Sequence, residues 1–230
     1  MVKQVHLGPA ILDIHELNVK DHEYDGKSRF ERMVHQMEHL LDAYMPGWSQ
    51  DPSMADTAKR FCKYLREYAT PLDLVKIFGT TFELSKDEPP RAEEACSHGI
   101  SHDEGIVVQT NIPFRSVCEH HLLPMHGRAS VGYIPNEKLL GLSKFVRLVQ
   151  GVGLERPSLQ EHIGNRIANL MEEHLAPKGV AVIISSEHTC MSCRGVAAPD
   201  VVTVSSALRG VFMSNPAARQ ELMNLIKHHQ

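Results

Sequence analysis

Residues 116–127, SVCEHHLLPMHG, gather one cysteine, one glutamate and three histidines beside a short apolar run and a proline. Thiolate sulfur and imidazole nitrogen are habitual zinc ligands. A second pair of thiols follows in CMSC, Cys190 and Cys193, just after His188. Cys118, a histidine, Cys190 and Cys193 could close a four-ligand structural site. Cys118, one of His120 and His121, and one of Cys190 and Cys193 would instead leave a fourth position open for water, as catalytic zinc requires. Successive side chains on an extended strand point to opposite faces. One of the adjacent histidines is therefore expected at the metal and the other elsewhere, and spacing does not choose between them. His188, taken alone, reads as a strand-end histidine bonded to backbone.

Two further stretches carry polar groups at useful spacing. GLSKFVR puts Ser143, Lys144 and Arg147 around the first turn of a helix, with the two cations three residues apart on one face. A helix N-terminus with a hydroxyl and two cations suits a phosphate chain, whereas a solvated face is the ordinary fate of such residues. SLQE, residues 158–161, has the form of a capping box, with Ser158 as N-cap and Glu161 as its partner.

The elements that must position these groups follow from periodicity. Residues 1–27 show none and read as a loop or docking arm. Ser28 and Glu31 form a second capping-box pattern, followed by Phe30, Met33, Met37, Leu40, Leu41 and Tyr44 at helical spacing. Pro46-Gly47 stops that helix. MADTAKRFCKYLREYA predicts another helix, with Ala58, Phe61, Leu65 and Tyr68 on one side. SKDEPPRAEEACSHGISHDEG is polar and reads as a loop. GIVVQTNIPFRSV predicts a strand with its proline at an edge or bend. GRASVGYIP predicts an antiparallel partner with Ala129, Val131 and Tyr133 on one face. A short helix SKFVRLVQGV is followed by a longer one with the stripe Leu159, Ile163, Ile167, Leu170, Met171 and Leu175. KGVAVIISSEHT is a buried strand, VVTVSSALRGVF another, and PAARQELMNLIKHH a closing helix. That order predicts an α+β fold, divided into an N-terminal arm and helical region, 1–90, and a domain over 91–230.

Composition narrows the function classes. The 230 residues are 42% hydrophobic and 23% charged, with a net charge of -4 and fifteen histidines. There is no basic excess for nucleic acid or an anionic membrane, so phosphate binding must come from a few placed cations. Five cysteines without regular spacing do not form a disulfide framework. No signal-peptide pattern and no 18-residue apolar run are present. The expected location is the cytoplasm, where thiols stay reduced.

CEHHLLPMHGRASVGYIP, GLSKFVRLVQ, RPSLQE and EHTCMSCRG, in that order, closely resemble the GTP cyclohydrolase I family. The resemblance spans roughly residues 105–230, and the helical pattern before residue 80 is similar to the family too. It implies a tunnelling fold (T-fold), in which antiparallel sheets of several subunits join into a barrel with helices outside. It implies pentameric rings stacked as decamers, with sites between subunits. It also implies a zinc-dependent reaction of GTP and water to 7,8-dihydroneopterin triphosphate and formate, opening a pterin, folate or deazaguanine pathway. The family's zinc ligands fall on Cys118, His121 and Cys190, and its catalytic histidines on His120 and His188. Ser143, Lys144, Arg147 and Arg194 match its triphosphate contacts, and Gln160 and Glu161 its guanine-reading pair. A carboxylate facing guanine N1 and the exocyclic amine would reject adenine, so Glu161 is assigned to guanine rather than to a capping box. Departures from the pattern are Cys193, expected as a small buried hydrophobe, His126, the 89–105 loop, and the glycines of QGVGLERP, expected to weaken their helix.

Overall fold

A computed structural model describes residues 27–83 and 105–227. The expected arm and most of the polar loop, with Cys96, lie outside the described residues. The chain divides into two compact units that meet between Glu67 and Tyr68.

The first unit is built on helices α1 (Arg29–Tyr44) and α2 (Thr57–Glu67). The expected capping box is present: Ser28 N donates to Glu31 Oε2 at 2.7 Å, and Glu31 N to Ser28 Oγ at 3.3 Å. Gly47, at φ 84°, turns the chain out of α1, a conformation glycine adopts without strain. Trp48 is then buried, its Nε1 donating to Asp42 Oδ1 at 2.7 Å. The apolar stripe read along α1 stays open, with no residue of that helix buried. On α2 the buried pair is Ala58 and Cys62, one turn apart, whereas Phe61 is exposed. The expected stripe thus holds at Ala58 and Tyr68, with Leu65 half-buried, and differs only in that Cys62 takes the buried place read for Phe61.

The second unit adds α3 (Leu74–Phe78), β1 (Thr81–Glu83), β2 (Val107–Val117), β3 (Pro124–Ile134), β4 (Lys138–Leu140), α4 (Leu142–Glu155), α5 (Gln160–Leu175) and β5 (Gly179–His188). It ends with α6 (Thr189–Ser192), β6 (Val202–Gly210), α7 (Val211–Ser214) and α8 (Pro216–Lys227). β2, β3, β5 and β6 form one antiparallel sheet in that spatial order, and β1 pairs with β4 in a separate ribbon. Pro113 sits in edge strand β2 beside a register shift between Gln109 and Ile112. A residue without an N–H is tolerated there.

Both faces of β3 and β5 are covered. Ala129, Val131, Tyr133, Val180, Val182 and Ile184 pack with Phe145, Leu148, Ile163 and Ile167 of α4 and α5. Ile134 and Ala181, of opposite parity, pack with Leu222 and Ile226 of α8 and Phe212. Double coverage explains why VAVII is apolar without alternation. Helix α4 includes Gly151 and runs three residues past its expected Val152 end, through Gly153 to Glu155. A Cβ on Gly153 would stand 2.4 Å from the Arg115 carbonyl oxygen, and one on Gly151 2.4 Å from Leu72 Cδ1. The glycines therefore let α4 lie directly on its neighbours, which offsets their poor helix propensity of about 1 kcal/mol each.

Candidate metal and polar site

Antiparallel pairing brings the end of β2, the start of β3 and the end of β5 to one end of the sheet: Val117 faces Pro124, and Met125 faces His188. Cys118 follows β2 directly. Its N–H donates to Leu123 O at 3.0 Å and its carbonyl accepts from Leu122 N at 2.9 Å, closing a tight turn. Leu122 takes φ 54° in that turn. The reversal brings His121 back, with Nδ1 at 3.7 Å from Cys118 Sγ. Beyond β5, the single turn α6 carries Cys190, and Thr189 Oγ1 ties it to β3 by donating to Pro124 O at 2.6 Å. The ligand atoms of Cys118, His121 and Cys190 all lie within 4.8 Å of one another.

These residues fit zinc. Bonds of about 2.3 Å to sulfur and about 2.0–2.1 Å to nitrogen in a tetrahedron set ligand atoms about 3.4–3.8 Å apart, and the Cys118–His121 distance of 3.7 Å already falls in that range. Burial, then the neighbouring Cys118 thiol, pushes the Cys190 thiol pKa up, while the Arg194 charge opposes the rise. A divalent cation would favour the thiolates instead.

The adjacent histidines sit on a turn rather than an extended strand, and the turn still separates them. The His120 and His121 ring centroids are 6.1 Å apart at 81°, and of the two only His121 joins the cluster. Cys193 is corrected: it is exposed rather than a buried hydrophobe, and among the described residues it belongs to no ligand group. The four-ligand alternative therefore lacks its fourth ligand. His126 is also exposed, opposite Glu187, with Nε2 at 4.0 Å from its carboxylate.

The capping box that SLQE resembles, set aside above in favour of guanine, does not form. Helix α5 starts at Gln160 with Leu159 at the cap position and no side-chain cap. Ser158 is drawn to β2 instead: it donates from N to Val117 O at 3.0 Å and bridges to Cys118. Glu161 is exposed in the first turn of α5, and its charge acts on His188. His188 bonds a side chain rather than backbone, with Nε2 2.8 Å from Gln160 Oε1. Burial pushes the His188 pKa down, and the Glu161 charge opposes that.

The side chain of Gln160, a residue 1% exposed, has no donor or acceptor left over for a base. Its Nε2 lies 3.0 Å from each of Ile184 O, Thr203 O and Ser205 Oγ, and its Oε1 accepts from Ser186 Oγ at 2.7 Å. The sequence reading missed Ser186, Thr203 and Ser205. The available signal was the hydroxyl pair Ser185-Ser186 breaking the apolar run of β5.

The expected phosphate contacts are less gathered. Ser143, Arg147 and Arg194 are exposed. Lys144 Nζ donates to the Lys76 carbonyl at 2.7 Å. Among the described residues no helix is long and apolar enough to cross a membrane.

The GTP cyclohydrolase I family model matches residues 33–227. The GTP cyclohydrolase 1 of Halalkalibacterium halodurans is 44% identical over 159 residues, 69% of this chain and 83% of that one. Those of Bacillus pumilus and Bacillus subtilis are 38% and 39% identical, each over 196 residues, covering 84% of this chain and 95% of theirs. Matched over residues 33–227 and over 84% of its length by full-length relatives, this chain belongs to the GTP cyclohydrolase I family.

Proposed function

We propose that the chain converts GTP and water to 7,8-dihydroneopterin triphosphate and formate, with zinc held by Cys118, His121 and Cys190. The observation that carries the reading is the convergence of two thiols and one imidazole at the sheet end, with His188 on the adjoining strand terminus. Zinc bound there would supply Lewis-acid activation of water near neutral pH. His188 and His120 would hold and move protons at the guanine N7 and the ribose ring oxygen, as imidazoles do near pH 7. Glu161 would accept from guanine N1 and the exocyclic amine. Ser143, Lys144, Arg147 and Arg194 would bind the triphosphate; Lys144 would have to exchange the Lys76 carbonyl for phosphate oxygen.

Residues 91–230 are read as the catalytic domain and 1–90 as its helical extension. The edge strand β6 exposes Val202 and Val204. Such an edge is normally covered, which supports a ring of subunits whose sheets join into a barrel, and a decamer of two rings. The reduced thiolate site suits the cytoplasm.

The test is metal dependence. Protein stripped with a chelator is expected to form no pterin from GTP, and to recover on addition of about one zinc per chain. Cys118→Ala is expected to bind no zinc and form no pterin, read as fluorescence after oxidation. Undiminished turnover by that variant would refute the assignment.

A further inference from the structure

Gln160 opens α5 but its side chain lies across β5 and β6. Ile184, Ser186 and His188 alternate along β5 and so share a face, and Thr203 and Ser205 face them from β6. Two of the three groups around Gln160 Nε2 are backbone carbonyls, of Ile184 and Thr203, each at 3.0 Å. A carbonyl can only accept. The amide nitrogen must therefore face these oxygens, and the orientation of the amide is fixed by chemistry. Oε1 is then left facing Ser186 Oγ at 2.7 Å and His188 Nε2 at 2.8 Å. It too can only accept, so both of these groups must donate.

We infer that Gln160 is a positioning residue that holds the His188 ring in place with its proton on Nε2, and that guanine is read by Glu161 without the Gln160 side chain. The inference rests on the proposed role of His188 as a proton carrier. An unprotonated Nε2 would set two acceptors 2.8 Å apart around a buried amide, at the full cost of an unmade buried hydrogen bond. Nδ1 is thereby the ring nitrogen not engaged by Gln160. The Ser186 hydroxyl fills the second lone pair of Oε1, and the two strand carbonyls hold the amide against rotation. This is the logic by which partners of a histidine set its tautomer and aim. It also explains a glutamine buried at the first position of a helix without a cap. A base reaching the same amide would have to displace contacts from two strands.

Two measurements test this. Neutron diffraction from deuterated, zinc-loaded wild-type protein is expected to show deuterium on His188 Nε2 and both amide deuterons of Gln160 on the carbonyl side. A His188 Nε2 without deuterium, or a reversed amide, overturns the inference. In kinetics, Gln160→Met keeps the length of the side chain and removes the acceptor. Its kcat is expected to fall about 10–100-fold, the usual loss when the partner of a site histidine is removed, with KM for GTP unchanged within about twofold. A rise in KM at constant kcat is the signature of lost ground-state binding and would return Gln160 to guanine reading. Should the variant not fold, the neutron map of the wild type decides alone. Should the wild type release no formate from GTP, the proposed reaction fails, while the neutron map still decides the Gln160–His188 contact.

Discussion

The metal end of the sheet and the start of α4 contrast sharply. Cys118, His121 and Cys190 have their ligand atoms within 4.8 Å of one another, and Gln160 and His188 are joined nearby by one part-buried hydrogen bond. Ser143 and Arg147 on α4 stand exposed, as does Arg194, and Lys144 is held by a backbone carbonyl. The first group is placed by strand register, a closed turn and strand carbonyls, so one chain is enough to assemble it. The second sits on helix and loop surface, where long side chains keep their rotamer freedom until an anion orders them. Under the proposed function, the difference separates a preorganised reaction centre from a binding surface that would complete itself around a ligand.

The largest effect should come from breaking the preorganised half. Cys118→Ala or Cys190→Ala is expected to abolish stoichiometric zinc binding, measured by elemental analysis, together with GTP turnover. The raised thiol pKa of Cys190 in metal-free protein gives zinc affinity a pH dependence. The metal must displace that proton, so affinity should climb as pH rises toward the raised value and fall on acidification. A competition titration with a chromophoric chelator that showed pH-independent affinity would contradict this.

The anion-binding half should respond differently. Lys144→Ala and Arg147→Ala are each expected to raise KM for GTP about 10–100-fold, the equivalent of a lost charge-assisted hydrogen bond of about 1.5–3 kcal/mol. Zinc content should be unaffected. Loss of zinc in either variant would erase the distinction between the two regions.

A backbone test is smaller. Gly153→Ala forces a Cβ to within 2.4 Å of the Arg115 carbonyl oxygen. It should lower stability by about 1–3 kcal/mol, as overpacking does, read as a shift of the urea midpoint. An unchanged midpoint would mean that α4 is not held against β2 as described. The smallest effect is expected at Cys193. Being exposed and outside the cluster, Cys193→Ala should leave zinc stoichiometry at the wild-type value, and loss of zinc would reinstate a fourth protein ligand.

Much of this arrangement was readable from residue types and spacing. The order of long elements, the buried central strand, the Ser28–Glu31 box and the convergence of Cys118, a histidine and a thiol from CMSC all follow from local signals. The departures from local signals are equally physical. Ser158–Glu161 carries the same four-residue signature as Ser28–Glu31, yet it was rightly not read as a cap: the backbone of Ser158 is bonded to Val117, Leu159 takes the cap position, and the helix begins one residue later than the signature would start it. A long-range contact outweighed a local cap. Phe61 in place of Cys62 on α2 is an error at a single position of the stripe, Ala58 and Tyr68 being buried as read. β1 and β4 have three residues each, too few for a period to show. The polar web around Gln160 joins three elements distant in sequence, and no spacing rule reports it. The cluster was read best where a tight turn does the positioning, and the Gln160 side chain least well, because tertiary contacts decide what it faces.

The most direct test of the central claim is the product of GTP with zinc-loaded protein, followed by formate release and mass analysis together. The account predicts formate and 7,8-dihydroneopterin triphosphate in equal amounts, both absent from Cys190→Ala. GTP recovered intact from zinc-loaded wild-type protein, or equal product from Cys190→Ala, would contradict it.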